Sequence, residues 1–153
     1  GRGAASVELG NAGCGYWNVA NTEGPVSLSI AGSGDIRAGT STSLDVSIAG
    51  SGSARAGATR DLDVSIAGSG DVTVARIEGP MGVSIAGSGD VVVRDGTSPD
   101  VDISIAGSGD VNFGGVAVDV DVSILGTGDV TIARATGAVS RSIAGSGDLR
   151  IGN

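Results

Sequence analysis

Hydrophobic and polar residues alternate along most of the chain, in short runs that end at glycine-rich turns. In residues 44–48, leucine, valine and isoleucine alternate with aspartate and serine, and the turn 50–52 follows. This period of two predicts a strand with one buried face. A second short strand follows several turns, as at residues 72–74 and 130–132. No run has the period of a helix long enough to cross over between strands, so the pattern predicts an all-β protein.

The alternation belongs to an internal repeat. The string S-I-A-G-S-G-D begins at Ser29, Ser65, Ser84, Ser104 and Ser142, and near copies begin at Ser47 and Ser123. Successive copies start 18, 18, 19, 20, 19 and 19 residues apart. A divergent eighth copy fits residues 7–19. A period near 19 with two or three short strands is typical of a solenoid, in which each strand stacks on its own copy in the next coil.

The predicted fold is a single-domain parallel β-helix (β-solenoid) over residues 1–153, expected to be right-handed. Residues 1–25 form a divergent first coil, or cap, and residues 26–153 form seven regular coils of 18–20 residues. Neighbouring coils should lie about 4.8 Å apart. The glycine content would also suit a disordered chain, but such chains lack this strict alternation of branched aliphatic residues.

Stacking in register predicts columns of like residues. One inward column is Ile30, Ile48, Ile66, Ile85, Ile105, Ile124 and Ile143, and a second is Ile36, Ala54, Val72, Val91, Val111, Val130 and Leu149. Thin coils leave little room between their walls, which explains a core of Val, Ile and Ala with Phe113 as its large member.

The motif V-S-I-A-G-S-G-D-V at this spacing resembles the bacterial head GIN domain family of adhesins. The resemblance covers nearly the whole chain from Val26 to Ile151. It implies a β-solenoid that is exported across the inner membrane, and so an extracytoplasmic location in the periplasm or on the cell surface. It supplies no catalytic residues to carry over.

The net charge limits the classes of partner that the chain is expected to bind. The chain has 17 acidic residues against 9 basic ones, a formal net charge of −8. Nucleic acids and anionic membranes attract basic surfaces, so neither is an expected partner. No apolar run is long enough to span a bilayer. The expected partner is a surface or envelope ligand whose identity the residues do not specify.

The aspartates at the glycine-rich corners are the first candidate functional residues. They form the column Asp35, Asp71, Asp90, Asp110, Asp129 and Asp148, interrupted by Ser53. Calcium-binding nonapeptide rolls also place aspartate in glycine-rich turns, but their period is half as long and their ligand spacing is not reproduced here. Each carboxylate is expected instead to accept backbone N–H bonds at its own corner. Arg37 and Arg150 lie two residues after an aspartate and are expected to form surface ion pairs.

The serines are the second candidate. Ser29, Ser47, Ser65, Ser84, Ser104, Ser123 and Ser142 form an outward column that could meet an ordered lattice or a glycan. A small polar residue also simply suits the wet face of a stacked strand. A calcium- or glycan-binding module that uses the aspartate and serine columns is therefore the alternative function.

Catalysis is not expected. The chain has no histidine and no lysine, and Cys14 has no imidazole to activate it. Uniform carboxylate columns also lack the unlike environments that acid–base pairs need. No catalytic residue, cofactor or metal site is predicted. The predicted function is non-enzymatic, in adhesion or cell-envelope scaffolding.

The two ends of the rod differ from its middle. Tyr16 and Trp17 lie in the divergent first coil and are expected to plug the end of the core. Arg141 occupies an inward column that is aliphatic in the other coils. Since an uncapped coil exposes unpaired backbone groups, weak end-to-end self-association through the C-terminal coil is expected.

Overall fold

The computed structural model describes residues 7–19 and 24–152, except for the side chain of Asn11. These residues form a single 13-stranded sheet with no helix. The strands are β1 (Val7–Gly13), β2 (Tyr16–Val19), β3 (Pro25–Gly32), β4 (Asp35–Ala38), β5 (Ser41–Gly50), β6 (Ser53–Gly68), β7 (Asp71–Ile77), β8 (Met81–Gly87), β9 (Asp90–Gly107), β10 (Asp110–Gly126), β11 (Val130–Ala135), β12 (Val139–Gly145) and β13 (Leu149–Ile151).

Every strand pairs in parallel with the strand one coil away. The pairing of Ser47 with Ser65, and of Ser65 with Ser84, shows that equivalent residues of the repeat lie directly opposite each other. The predicted parallel β-solenoid is confirmed. The described residues form eight stacked coils, with about seven turns between the first and the last.

Each coil has two regular sides and one variable side. Face A comprises the segments that end at the first glycine of each corner: residues 7–13, 25–32, 43–50, 61–68, 80–87, 100–107, 119–126 and 138–145. Each of these segments belongs to one coil, and the coils are numbered 1 to 8 in this order. Face B comprises the segments after the corner: residues 16–19, 35–38, 53–56, 71–74, 90–93, 110–113, 129–132 and 148–151. The described residues between face B of one coil and face A of the next form side C, which differs in length between coils.

The inward columns are as predicted. Ile66 and Ile105 of face A are each 1% exposed, and Val91 and Phe113 of face B are fully buried. In coil 8, Ile143 and Leu149 are only partly buried because no further described coil covers them. The buried hydrophobic residues form a single continuous core along the rod.

Side C is more regular than its sequence suggests. β6, β9 and β10 continue through it as strands of 16, 18 and 17 residues, which link face B of one coil to face A of the next. Two buried hydroxyls support the bend: the Ser98 hydroxyl donates to the Asp100 carbonyl at 2.8 Å, and the Thr59 hydroxyl to the Asp61 carbonyl at 3.2 Å.

The two corner glycines serve different purposes. Gly68, the first glycine of its corner, has a φ of 125°, which L side chains rarely adopt. Gly70, the second, has no room for a side chain: a Cβ would lie 2.5 Å from Ile48 Cγ2 and 2.6 Å from the Gly52 carbonyl oxygen. The repeat therefore turns sharply at the same place in every regular coil, and this alignment keeps the outward columns straight.

Candidate functional site

The corner aspartates are exposed and stacked, as predicted, but their hydrogen bonds run between coils. Asp90 Oδ1 accepts the Asp110 N–H at 3.3 Å, and Asp110 Oδ1 accepts the Asp129 N–H at 3.1 Å. Asp129 Oδ1 in turn accepts the Asp148 N–H at 3.1 Å. The prediction of backbone donors is therefore right, but the prediction that they lie at the same corner is wrong for these residues. Parallel stacking puts the next coil's N–H one strand spacing away, within reach of the short side chain.

Stacking has an electrostatic cost at Asp90. Burial raises the pKa of this carboxyl above its ordinary value, and the charges of Asp71 and Asp110 raise it further. The backbone hydrogen bond from Asp110 acts in the opposite direction without cancelling the increase.

The corner column is not arranged as a metal centre. No group of three or more histidine, cysteine, aspartate or glutamate side chains within residues 7–19 and 24–152 is placed to hold a metal ion. Adjacent corner aspartates are a full strand spacing apart, and the Oδ1 atoms of Asp90, Asp110 and Asp129 are bonded to backbone N–H groups.

The serine column is exposed on face A over its whole length, from Ser29 to Ser142. An open trough of about 880 Å³ runs beside it across coils 1 to 6. Backbone and side-chain atoms of the strands form its floor, and short serine and aspartate side chains form its walls. The surface is therefore regular, with columns of serine and acidic side chains and, within the described residues, no aromatic side chain on face A.

Two further acidic columns lie on face A, outside the columns predicted from the repeat. One contains Asp45, Asp63, Asp102 and Asp121, and the other contains Asp61, Asp100 and Asp119. A second open trough, of about 890 Å³, separates them across coils 4 to 8. The signal in the sequence was the Asp-x-Asp string just before three copies of the repeat, at residues 61–63, 100–102 and 119–121.

Asp45 and Asp63 form a pair of facing carboxyls in the first of these columns. Asp45 lies opposite Asp63 in the register between β5 and β6. Burial raises the pKa of the Asp45 carboxyl, and the Asp63 charge and a hydrogen bond between the two side chains raise it further.

Charge is segregated around the rod. Every charged residue in the described part of face A is acidic except Arg141. The other described arginines lie outside face A, and one of them, Arg76, forms an ion pair with Glu78 at 3.3 Å on side C. The ion pairs expected for Arg37 and Arg150 with Asp35 and Asp148 do not form. Side chains two residues apart on a straight strand lie nearly 7 Å apart, whereas Glu78 follows the end of its strand.

The first coil presents one aromatic residue to the core column and one to the surface. Trp17 lies in register with Ile36 and is 44% exposed, so it stands at the open end of an inward column as expected. Tyr16 lies in register with Asp35 and is 60% exposed, so the expectation that it plugs the core is wrong. Cys14 occupies the corner beside Ser33, with its Sγ 3.2 Å from the serine Oγ.

These features define a parallel β-solenoid repeat protein whose outward columns recur from coil to coil. Residues 3–76 and again residues 79–153 match the family described as "Putative auto-transporter adhesin, head GIN domain". The chain therefore belongs to this family, and the resemblance inferred from the repeat is confirmed.

No match was found among curated proteins or among solved structures. Within the described residues, no helix of the length and apolar character needed to cross a bilayer is present.

Proposed function

We propose that this chain is a non-enzymatic adhesion or envelope-scaffolding module that works outside the cytoplasm, and that face A is its contact surface. The single observation that carries the proposal is the continuous, exposed serine column beside an open trough on a face with regular spacing. Family membership supports a role in adhesion.

The physical case for face A is its repetition. Each coil adds one more copy of the same small polar group at a spacing of about 4.8 Å. A ligand that is itself repetitive can bind several copies at once, and many weak contacts then combine into a strong one. Repeat proteins commonly use the extended surfaces created by stacking in this way.

The chemistry of the side chains supports a binding role rather than catalysis. The sequence has neither histidine nor lysine to act as a general base at neutral pH. The carboxylates on face A stand in repeated surroundings, whereas acid–base catalysis needs two groups in unlike environments.

The test is the adhesion of beads coated with the full chain to isolated bacterial envelopes and to an array of immobilised polysaccharides. Ser65→Arg with Ser104→Arg places two bulky side chains on face A, and binding should fall at least about tenfold if each blocked contact contributes about 1 kcal/mol.

The matched control is Asn112→Arg with Thr131→Arg, which adds the same side chains at exposed positions of face B and should bind like the unchanged protein. An equal loss in both variants, or retained binding by the face A variant, would show that face A is not the contact surface.

A further inference from the structure

Face B carries a pair of stacked arginines in coils 2 and 3. Arg37 lies opposite Arg55 in the register between β4 and β6, and both side chains are exposed. By contrast, Arg76 lies opposite an acid, Asp95. Parallel stacking therefore anchors the side chains of Arg37 and Arg55 about 4.8 Å apart, where like charges repel. We call these two residues the arginine pair.

The charge of the arginine pair is not neutralised by its neighbours. In the described part of the chain, neither Arg37 nor Arg55 forms an ion pair. Asp35 lies two residues before Arg37 on the same strand, nearly 7 Å away. The equivalent position before Arg55 is Ser53, the one interruption of the corner aspartates. Coils 2 and 3 therefore present a local basic site on a chain whose formal net charge is −8.

Face A carries a matching set of acids in coils 6 and 7. Asp100 lies opposite Asp119, and Asp102 lies opposite Asp121, in the register between β9 and β10. All four side chains are exposed. Each opposed pair has the same spacing between coils as the arginine pair, and the two columns stand nearly 7 Å apart along the strand. We call these four residues the acidic quartet.

The open trough of about 890 Å³ on face A runs between the two columns of the acidic quartet. A guanidinium is planar and carries donors around its edge, so one that enters the trough can donate to a carboxylate on each side. Two arginines one coil apart can enter together, one at coil 6 and one at coil 7. In coil 5 the same columns hold Pro80 and Gly82, so the negative charge is concentrated at the quartet.

We propose that the arginine pair of one copy binds the acidic quartet of a second copy, so that rods associate side by side. The two sites have opposite charge and the same spacing, and they lie on different faces of the rod, so they cannot meet within one copy. The net charge opposes association at long range, but at physiological ionic strength it is screened beyond about 8 Å, whereas direct contacts persist. The contact is heterologous, so each copy can bind two others.

This association goes beyond the adhesion role proposed above and does not depend on it. The contact covers face A at coils 6 and 7 and leaves the serines of coils 2 to 5 uncovered. Associated copies would therefore present several serine columns together, which strengthens the binding of any repetitive ligand.

The test is sedimentation equilibrium of the full chain at physiological ionic strength, up to millimolar concentration. The unchanged protein should associate, with an average mass that rises with concentration. Arg37→Gln with Arg55→Gln should weaken the association at least about tenfold, because two charge-assisted contacts are lost. Arg94→Gln with Arg134→Gln is the matched control, since it removes the same charge from exposed positions of side C and should behave like the unchanged protein.

A second variant changes the other half of the contact. Replacing all four acids of the quartet by asparagine should also weaken the association at least about tenfold, although it reduces the net negative charge and so the general repulsion between copies. Asparagine keeps a side-chain oxygen, so it can still accept the hydrogen bond that Asp119 Oδ1 accepts from the Ala138 N–H at 3.2 Å. Circular dichroism and the melting temperature check that both variants are folded.

A mixture of the two variants isolates the proposed contact. The quartet variant keeps its arginine pair and the arginine variant keeps its quartet, so one contact can form between unlike copies. The mixture should therefore form a one-to-one dimer and nothing larger.

Three results would overturn the proposal. One is an unchanged protein that remains a strict monomer at millimolar concentration. Another is a folded arginine variant that sediments like the unchanged protein at every concentration. The third is a mixture that associates no more than its separate components. Retention of the monomeric unchanged protein on immobilised dextran sulfate, lost in the arginine variant, would then assign the arginine pair to an anionic ligand instead.

Discussion

At the scale of the residue, in-register stacking places like side chains directly above one another. For Ile and Val this buries apolar surface in continuous columns. For aspartate it brings like charges to a strand spacing, where two charges repel by about 0.9 kcal/mol in water at about 4.8 Å. Burial is the largest cause of the raised pKa values of Asp45 and Asp90, and this repulsion raises them further.

The stability of the rod should therefore increase as the pH falls from neutral towards 4. A carboxyl whose pKa is raised by folding holds its proton more tightly in the folded chain than in the unfolded one. Its stabilising contribution is complete below its ordinary value of 3.8 and is lost as the pH rises through the higher folded value. Melting temperatures should therefore rise as the pH is lowered from 7 to 4.

Asp45→Asn tests the interaction between the carboxyl groups of Asp45 and Asp63. It removes the charge opposite Asp63, so it should raise the melting temperature at pH 7 and flatten the pH dependence. Glu8→Gln is the matched control, since it removes an acid from the same column whose register partner is Ser27 rather than an acid. A variant of Asp45 that melts below the unchanged protein at pH 7 would contradict the repulsion argument.

At the scale of the element, the corner connects neighbouring coils as well as the two faces of one coil. The glycines allow the turn, and the aspartate after them accepts a backbone N–H from the coil above at Asp90, Asp110 and Asp129. The carboxylate thus links successive coils of the solenoid by a hydrogen bond.

Because these carboxylates are hydrogen-bonded to backbone N–H groups, we predict that calcium will not stabilise the protein. Calcium needs six to eight oxygen ligands at about 2.3–2.6 Å, and carboxylates a strand spacing apart supply too few. Melting temperatures with millimolar calcium and with a chelator should therefore agree. Binding tighter than that concentration would raise the stability by RT ln(1 + [L]/Kd), so the comparison is sensitive. A rise of several degrees that Asp90→Asn with Asp110→Asn abolishes would identify a calcium site.

The regular elements were predictable because their signal is repeated. The alternation of apolar and polar residues in face A, such as that around Ile48, is enough to predict the strands, the inward columns and the exposed serines from the sequence alone. The acidic columns of Asp45 and Asp61 were missed because they lie upstream of the repeated string, at positions occupied by Gly82 and Pro80 in coil 5. The donors to the corner carboxylates could not be predicted, because they depend on the spacing between coils rather than on the sequence of one coil.

At the scale of the whole molecule, the rod is nearly one-dimensional. Each coil contacts the coil before it and the coil after it, so stability is close to a sum of interfaces between neighbours. Residues of equal chemistry should then differ in importance with their place along the rod. A middle coil has two interfaces to lose, and coil 8 has one within the described residues.

The isoleucine column tests this difference at constant chemistry. Ile66 is 1% exposed between coils 3 and 5, whereas Ile143 in coil 8 is only partly buried. Ile66→Ala should lower the free energy of unfolding by about 2–5 kcal/mol, as for other buried large-to-small changes. Ile143→Ala should cost less than about 2 kcal/mol, because fewer contacts are lost and solvent can fill the space.

Denaturant unfolding of the two variants measures the difference, with Ser65→Ala as the control for a mutation in a middle coil. Ser65 neighbours Ile66 but points outward, and its replacement should change the stability by less than about 0.5 kcal/mol. Hydrogen exchange adds the spatial information: Ile143→Ala should speed exchange in coil 8 and leave coils 3 to 5 protected. Equal losses for Ile66 and Ile143, with exchange raised evenly along the rod, would mean that the solenoid unfolds as one unit whose end coil is as important as its middle.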